Sequence, residues 1–156
     1  MAPATRLRLF YFLYYGNVGT MLPYFAAYLR GRGFSGEQIG LVQMLPSLLA
    51  PVVAIAWATF ADHRPTPQRA LRLASGWAAV AVLLLPLVPA PWQVGAVVAV
   101  MALGDRAVVP LADSLTLDWC RRSPALSYAR IRLFGSLGFI ALSLAVGRAL
   151  TLRGDR

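Results

Sequence analysis

Apolar residues occur along this chain in long, nearly continuous runs that short polar segments separate. Each run has about 20 residues or more, the length that an α-helix needs to cross the hydrocarbon core of a bilayer. The pattern predicts five transmembrane helices in a single transmembrane domain over residues 1–156. Their predicted bounds are residues 7–29, 36–60, 70–88, 92–119 and 128–150.

The polar segments carry residues that begin or end helices. The first run stops at Arg30 and the following Gly31-Arg32-Gly33, and Ser35 precedes the second run as an N-cap, with Glu37 in the first turn. Five prolines inside the predicted helices are expected to kink or locally unwind them. These prolines are Pro23, Pro46, Pro51, Pro86 and Pro110.

The composition excludes a soluble domain and a disordered chain. Of 156 residues, 58% are hydrophobic and 13% are charged, with a mean hydropathy of +0.62, whereas a soluble domain carries about 25% charged residues. All 15 basic residues are arginine and the net charge is +9. Because the arginines fall at the ends of the apolar runs, they are expected to set membrane topology rather than to bind nucleic acid.

The distribution of the arginines predicts the orientation of the chain. Nine arginines fall on the side of the N-terminus and five on the other side, which favours a multi-pass protein with a cytoplasmic N-terminus. The nine are Arg6, Arg8, Arg64, Arg69, Arg72, Arg121, Arg122, Arg130 and Arg132, the five are Arg30, Arg32, Arg148, Arg153 and Arg156, and Arg106 lies inside a predicted span.

The sequence contains no motif that is typical of an enzyme. It has one histidine, His63, in a predicted loop, and a single cysteine, Cys120, which excludes an internal disulfide and a multi-cysteine metal site. No phosphate-binding glycine loop or nucleophile motif is present. We therefore expect no catalytic residues, no metal and no cofactor.

Ionisable residues at membrane depth are the first candidates for a functional site. Asp105, Arg106 and Asp113 lie in the fourth run, and Arg132 lies near the start of the fifth. Charges inside a bilayer are costly and usually face a bundle interior or an aqueous cavity. Two interpretations remain open: the charges handle a ligand or protons in a cavity, or they form an internal pair that only holds helices together.

Polar residues of the first run form a second candidate surface. Tyr14, Asn17, Tyr24 and Tyr28 follow one another at spacings of three, seven and four residues, which places them on one helix face. Such a stripe is consistent with a wall that faces water or substrate, and Tyr14 and Asn17 are its candidate substrate-binding residues. Anchoring at the membrane interface explains Tyr28 and Tyr11 equally well.

Two stretches and a loop resemble a known family. The first stretch contains Gly19-x-x-x-Pro23-Tyr24-Phe25. The second contains Pro110-Leu111-Ala112-Asp113-Ser114 and the segment from Tyr128 to Ser136. Residues 58–69 resemble a degenerate Gly-x-Leu-Ala-Asp-Arg-x-Gly-Arg-Arg loop, with a match at Ala61-Asp62 and departures at Ala58, His63 and Pro65. Together they resemble the major facilitator superfamily, specifically its phenylpropionate permease branch, whose wider relatives include lactose-permease-type proton symporters.

The resemblance implies a fold, a function and a set of site residues. The fold would be an incomplete N-terminal six-helix bundle, in a family with twelve spans in two halves. Asp113 would pair with Arg132, Arg132 would contact substrate, Phe139 would stack on it, and Asp62 would be the matching residue of the loop motif. The function would be proton-coupled uptake of a small organic solute, such as an aromatic acid or a sugar, in a bacterial inner membrane.

The implied partners are a small-molecule substrate, protons, the lipid bilayer, and a missing C-terminal half or a partner chain that transport would require. Two alternatives remain from the residues alone. The chain could be a non-transporting scaffold or partner-binding module left from a truncated permease. A membrane-embedded enzyme is disfavoured because no metal or nucleophile motif is present.

Overall fold

A computed structural model of the chain describes residues 3–62, 67–123 and 126–154. The described residues form five α-helices and one short 3-10 helix, with no strand among them. The helices are α1 (Pro3–Gly31), α2 (Gly36–Asp62), α3 (Pro67–Val82), α4 (Pro91–Arg122) and α5 (Tyr128–Gly154), and the 3-10 helix is Leu85–Leu87. An all-α membrane fold, as the sequence predicts, is confirmed.

The number of candidate membrane spans differs from the prediction. Four segments of the described chain are long and apolar enough to cross a bilayer, with mean hydropathies of 1.7 to 2.0, and they comprise α2, α3 with the 3-10 helix, α4 and α5. Within the described chain the candidate spans thus number one fewer than the five predicted helices, and α1 is the predicted span that is not among them. The helix α1 has sufficient length at 29 residues, but its tyrosines, Asn17 and Thr20 lower its hydropathy.

Local sequence signals explain the helix ends. At the start of α2 the Gln38 backbone N–H donates to Ser35 Oγ at 3.2 Å, and the Ser35 N–H donates to Gln38 Oε1 at 3.0 Å. This reciprocal capping box satisfies two amide donors at the start of the helix. Gly33 precedes it with a φ of 85°, a left-handed conformation that glycine adopts without steric cost.

Pro86 accounts for the end of α3. The α-helix stops at Val82 and gives way to the 3-10 helix. A proline in a helix clashes with the carbonyl group four residues earlier and donates no hydrogen bond, and here that carbonyl belongs to Val82. The unwinding predicted at this proline is therefore observed, whereas Pro23, Pro46, Pro51 and Pro110 lie within continuous α-helices.

The described helices form two compact units. The first unit comprises Met1–Arg32 with Thr116–Arg156, and the second comprises Gly33–Leu115. The first unit therefore holds α1, α5 and the C-terminal end of α4, and the second holds α2, α3 and the rest of α4.

Close approach of α3 and α4 organises the second unit. A Cβ atom at Gly104 would lie 2.6 Å from the Ala74 carbonyl oxygen, so only glycine permits this helix spacing. Two indole N–H groups donate to carbonyl groups of α4, Trp77 to Val100 at 2.7 Å and Trp57 to Leu103 at 2.6 Å. These bonds satisfy the polar end of both tryptophans inside an apolar unit.

The helices α1 and α5 of the first unit run parallel. Along α1, Arg8, Phe12 and Tyr24 contact Phe134, Gly138 and Gly147 of α5 in that order. The residue numbers at the contacts therefore increase in the same direction along both helices. The start of α1 and the start of α5 therefore lie at the same end of this unit.

Large apolar side chains cover the outside of several helices. Val52, Ile55, Leu83 and Leu144 each leave 68% to 70% of their surface exposed. Extensive exposed apolar surface is an unfavourable feature in water. Lipid is as apolar as these side chains and contacts them without that cost, so the exposure agrees with a membrane location.

Candidate functional site

A pocket of about 370 Å³ lies in the first unit, between α1 and α5. Tyr15 lines it from α1. The other lining residues come from α5, and they are Arg132, Gly135, Ser136, Phe139 and Ile140. The volume falls within the range of about 300 to 1,000 Å³ that is usual for small-molecule sites.

Glycines allow the two helices to come this close beside the pocket. A Cβ atom at Gly135 would lie 2.8 Å from Cδ2 of Tyr15, and one at Gly19 would lie 2.6 Å from the Phe139 carbonyl oxygen. Small residues at such positions favour association of helices in lipid, where no hydrophobic force drives it. Tyr15 and Phe139 are thus held directly against the opposite helix.

Arg132 supplies the positive charge of the pocket. Its guanidinium carbon lies 5.0 Å from the ring centroid of Tyr15 and 5.8 Å from that of Tyr11. Both distances are within the range of a cation–π interaction. The Tyr11 and Tyr15 rings stack on each other at 6.3 Å, so one aromatic pair supports the guanidinium group.

A buried hydrogen bond fixes the first ring of this pair. The Tyr11 hydroxyl and Thr116 Oγ1 are 3.2 Å apart, and both residues are fully buried. Thr116 belongs to the C-terminal end of α4, so the bond ties this segment to α1 within the first unit. Anchoring at the membrane interface therefore does not explain Tyr11.

The arrangement combines a cationic fork with an apolar wall. A guanidinium group can bind a carboxylate or a pair of hydroxyl groups through two parallel hydrogen bonds. Phe139 and Ile140 offer an apolar surface to a ring or a hydrocarbon body, and Ser136 adds one hydroxyl group. Such a site suits a small organic anion or a polar ring compound.

Comparison with known proteins identifies the family. A family model described as "MFS_1 like family" matches residues 4–154. The chain belongs to the major facilitator superfamily.

Named relatives agree with this membership. The chain is 33% identical over 147 residues to the maltose permease of Geobacillus stearothermophilus, covering 94% of the chain and 37% of the permease. It is also 33% identical over 155 residues to a probable 3-phenylpropionic acid transporter of Escherichia coli K12, covering 94% of the chain and 38% of that protein. The chain thus spans little more than a third of the length of these relatives. No solved structure matches it.

The pocket of this superfamily member brings two of the predicted site residues together. Arg132 and Phe139 both line it. Tyr14 and Asn17, from the predicted stripe of α1, are not among its lining residues. Tyr14 is partly buried and its ring stacks on Phe10 with a centroid distance of 6.0 Å, whereas Asn17 is exposed.

The other tyrosines of the stripe make contacts within the first unit. The Tyr24 hydroxyl donates to the Ser143 carbonyl oxygen at 2.9 Å, which joins α1 to α5. Tyr28 is exposed near the end of α1 and accepts a hydrogen bond from Arg32 Nη1 at 3.0 Å. A role for Tyr14 and Asn17 in substrate binding stays a prediction.

The charged residues of α4 that are predicted to lie at membrane depth belong to the second unit. Asp105 and Asp113 are partly buried and Arg106 is exposed. Because Arg132 belongs to the first unit, the pairing of Asp113 with Arg132 stays a prediction that the resemblance supplies. Both interpretations of Asp105 and Arg106, as a ligand site or as a structural charge pair, also remain open.

Sequence reasoning missed part of the pocket. Tyr15, Ser136 and Ile140 were not candidates, although Gly135, Ser136 and Gly138 form an evident cluster of small residues. A usable signal was the i, i+4 series of Tyr11, Tyr15 and Gly19, which defines the face of α1 that meets α5. The stripe from Tyr14 to Tyr28 defines a neighbouring face instead.

The loop motif, residues 58–69, lies partly outside the described residues. Asp62 is the last residue of α2, and residues 63–66, which include His63 and Pro65, lie outside the part of the chain that the structure describes. Within the described part, no group of three or more histidine, cysteine or acidic side chains could hold a metal ion.

Proposed function

We propose that the chain forms the N-terminal part of a secondary active transporter that couples uptake of a small organic solute to protons. The Arg132–Phe139 pocket is the observation that carries this proposal, because it joins a cation and an aromatic wall in one solute-sized volume. Membership of a family of transporters supports it. We further propose that the protein lies in a bacterial inner membrane with a cytoplasmic N-terminus.

Two substrate classes fit the names of the relatives, an aromatic acid and a sugar. The lining favours the acid. A sugar carries a hydroxyl group on nearly every carbon, and each buried hydroxyl requires a hydrogen-bond partner. The pocket offers mainly Arg132 and Ser136 for this purpose, whereas Phe139, Ile140 and the Tyr15 ring suit an aromatic body. The carboxylate would bind the Arg132 guanidinium group.

We propose that Asp113 compensates the charge of Arg132 until the substrate competes with Asp113 for the Arg132 guanidinium group. Alternating access in this superfamily uses two bundles that move about a central site. Transport by this chain would therefore use a second bundle, supplied by a C-terminal half or by a partner chain. A non-transporting scaffold is not favoured, because the relatives are named as transporters.

Uptake of radiolabelled 3-phenylpropionate and maltose by energised cells tests the proposal, with the chain joined to its second bundle. We expect uptake of the acid, abolished by a protonophore and by Arg132→Ala or Asp113→Asn. The exposed Arg153→Gln variant, at the far end of α5, is the matched control and should transport normally. Uptake that survives both Arg132→Ala and Asp113→Asn would refute the proposed site, and uptake that is insensitive to the protonophore would refute proton coupling.

A further inference from the structure

The hydrogen bond between Tyr11 and Thr116 brings a third helix to the arginine of the pocket. The lining residues that the structure describes come from α1 and α5, whereas Thr116 lies on α4. Its Oγ1 atom is 3.2 Å from the Tyr11 hydroxyl oxygen, and both residues are 0% exposed. Breaking a buried bond of this kind costs the desolvation of each group that loses its partner. The bond therefore holds the Tyr11 hydroxyl group against α4.

Two contacts together fix the Tyr11 ring. The hydroxyl group lies on the long axis of the ring, so its bond to Thr116 sets the direction of that axis. The Tyr15 ring sets the plane, because the two rings stack with 14° between their planes and 6.3 Å between their centroids. Phe10 adds an edge-to-face contact at 5.8 Å. A ring that is fixed in direction and in plane presents its face at one place.

The guanidinium group of Arg132 takes its position from these rings. Its carbon atom lies 5.8 Å from the Tyr11 centroid and 5.0 Å from the Tyr15 centroid. With the 6.3 Å between the centroids, these distances form a triangle with sides of similar length. A shift of the Tyr11 ring therefore moves the point at which both cation–π contacts form. The five N–H donors of arginine form a rigid planar fork, so its position decides whether two parallel bonds reach a carboxylate.

We propose that Tyr11 and Thr116 are positioning residues that give the pocket its preference for a carboxylate over a neutral solute. The inference rests on the proposed function, in which Arg132 binds the carboxylate of an aromatic acid. Both residues are fully buried, so they act through Arg132 rather than by contact with the solute. A carboxylate offers two oxygen atoms to an aligned fork, whereas a neutral amide offers one. Loss of alignment therefore weakens binding of the acid more than binding of the amide.

Binding of 3-phenylpropionate and of its neutral amide, 3-phenylpropionamide, tests the proposal on the purified chain joined to its second bundle. Equilibrium binding requires no proton gradient, so its outcome is separate from that of the uptake assay. The parent protein should bind the acid more tightly than the amide, and Arg132→Ala should abolish this preference. Thr116→Val should weaken binding of the acid about 10-fold, as expected for loss of one charge-assisted hydrogen bond, and binding of the amide by less than about twofold. Thr116→Ser keeps the hydroxyl group and should restore the preference.

The double variant Tyr11→Phe/Thr116→Val separates positioning from a structural role. Thr116→Val alone takes from the buried Tyr11 hydroxyl its partner on α4 and should lower the midpoint of thermal unfolding. The double variant removes both hydroxyl groups and should recover most of that stability. We expect it to bind the acid still about 10-fold more weakly than the parent protein does. Recovery of stability and acid preference together would overturn the positioning role.

Tyr24→Phe is the matched control. The Tyr24 hydroxyl also joins two helices, through its 2.9 Å bond to the Ser143 carbonyl oxygen, but it lies about 20 Å further along α1 than Tyr11 does. This variant should lower the unfolding midpoint and keep the acid preference, and an equal loss of preference would attribute the effect to loosened helices and overturn the proposal. An unchanged preference in Thr116→Val would overturn the positioning role alone. A parent protein without any preference for the acid would overturn both the acid substrate and this inference.

Discussion

Arg132 illustrates how this chain positions a long, flexible cation beside a pocket between two helices. Fixing an arginine side chain costs about 2 kcal/mol of rotamer entropy. The stacked rings of Tyr11 and Tyr15 offset part of this cost through cation–π contacts, and Thr116 fixes the first ring. Tyr15 therefore has two roles, since it supports the Arg132 guanidinium group and also lines the pocket.

Substitution of Tyr15 tests this double role. Tyr15→Leu removes the ring beneath Arg132 and should raise the KM for uptake between about twofold and 30-fold, since a partly desolvated cation–π contact contributes roughly 0.5 to 2 kcal/mol. Tyr15→Phe keeps the ring and should leave KM nearly unchanged. If both substitutions raised KM equally, the hydroxyl group rather than the ring would be the functional part of Tyr15.

At the scale of helices, the glycines of α1 and α5 set the spacing on which the pocket depends. A side chain at Gly138 would meet the Phe12 carbonyl group, and one at Gly19 would meet the Phe139 backbone. Backbone atoms cannot rotate away as a flexible side chain can, so any larger residue must move a whole helix. The pocket would change shape with that movement.

Gly138→Val tests this dependence. Forced overpacking of a close interface costs about 1 to 3 kcal/mol, so the variant should unfold at a lower temperature in detergent and take up less solute. Gly76→Ala on α3 is the control, because nothing lies within 4 Å of a Cβ atom at that position. Alanine favours helix over glycine by about 1 kcal/mol, so this control should match or exceed the parent in stability. A stable, active Gly138→Val variant would contradict the role given to the spacing.

The sequence predicted the helices better than it predicted the faces of α1. Apolar runs of span length reveal α2, α4 and α5 directly, and the Ser35–Gln38 capping box follows from residue types at fixed spacing. Polar and aromatic residues occur all around α1, so its periodicity does not reveal which face meets another helix. Only the packing against α5, more than 100 residues away, selects Tyr15 rather than Tyr14.

The prediction of the site has the same limit, because spacing along one helix does not show which residues of another helix it meets. Arg132 and Phe139 could be named because a family resemblance assigned them by position, and they line one pocket. Ser136 and Ile140 follow only from the three-dimensional spacing of the helices. Asp113 is a case apart, because it lies in the second unit and its partner cannot be read from spacing along one helix.

At the scale of the whole molecule, the charge distribution carries the prediction of topology. Nine arginines on the side of the N-terminus against five on the other side favour a cytoplasmic N-terminus. The two exposed positions Glu37, at the start of α2, and Ser127, before α5, should then lie on opposite sides of the membrane. The single cysteine simplifies a direct test, because Cys120→Ser removes the background.

Labelling of Glu37→Cys and Ser127→Cys, each in the Cys120→Ser background, with a membrane-impermeant maleimide decides the orientation. We expect Glu37→Cys to react in intact cells and Ser127→Cys to react only after the membrane is permeabilised. The reverse pattern would place the N-terminus outside, and with it the starts of α1 and α5. One labelling experiment therefore fixes both the direction of the chain and the side of the membrane on which α1 and α5 begin, since both helices begin at the same end of the first unit.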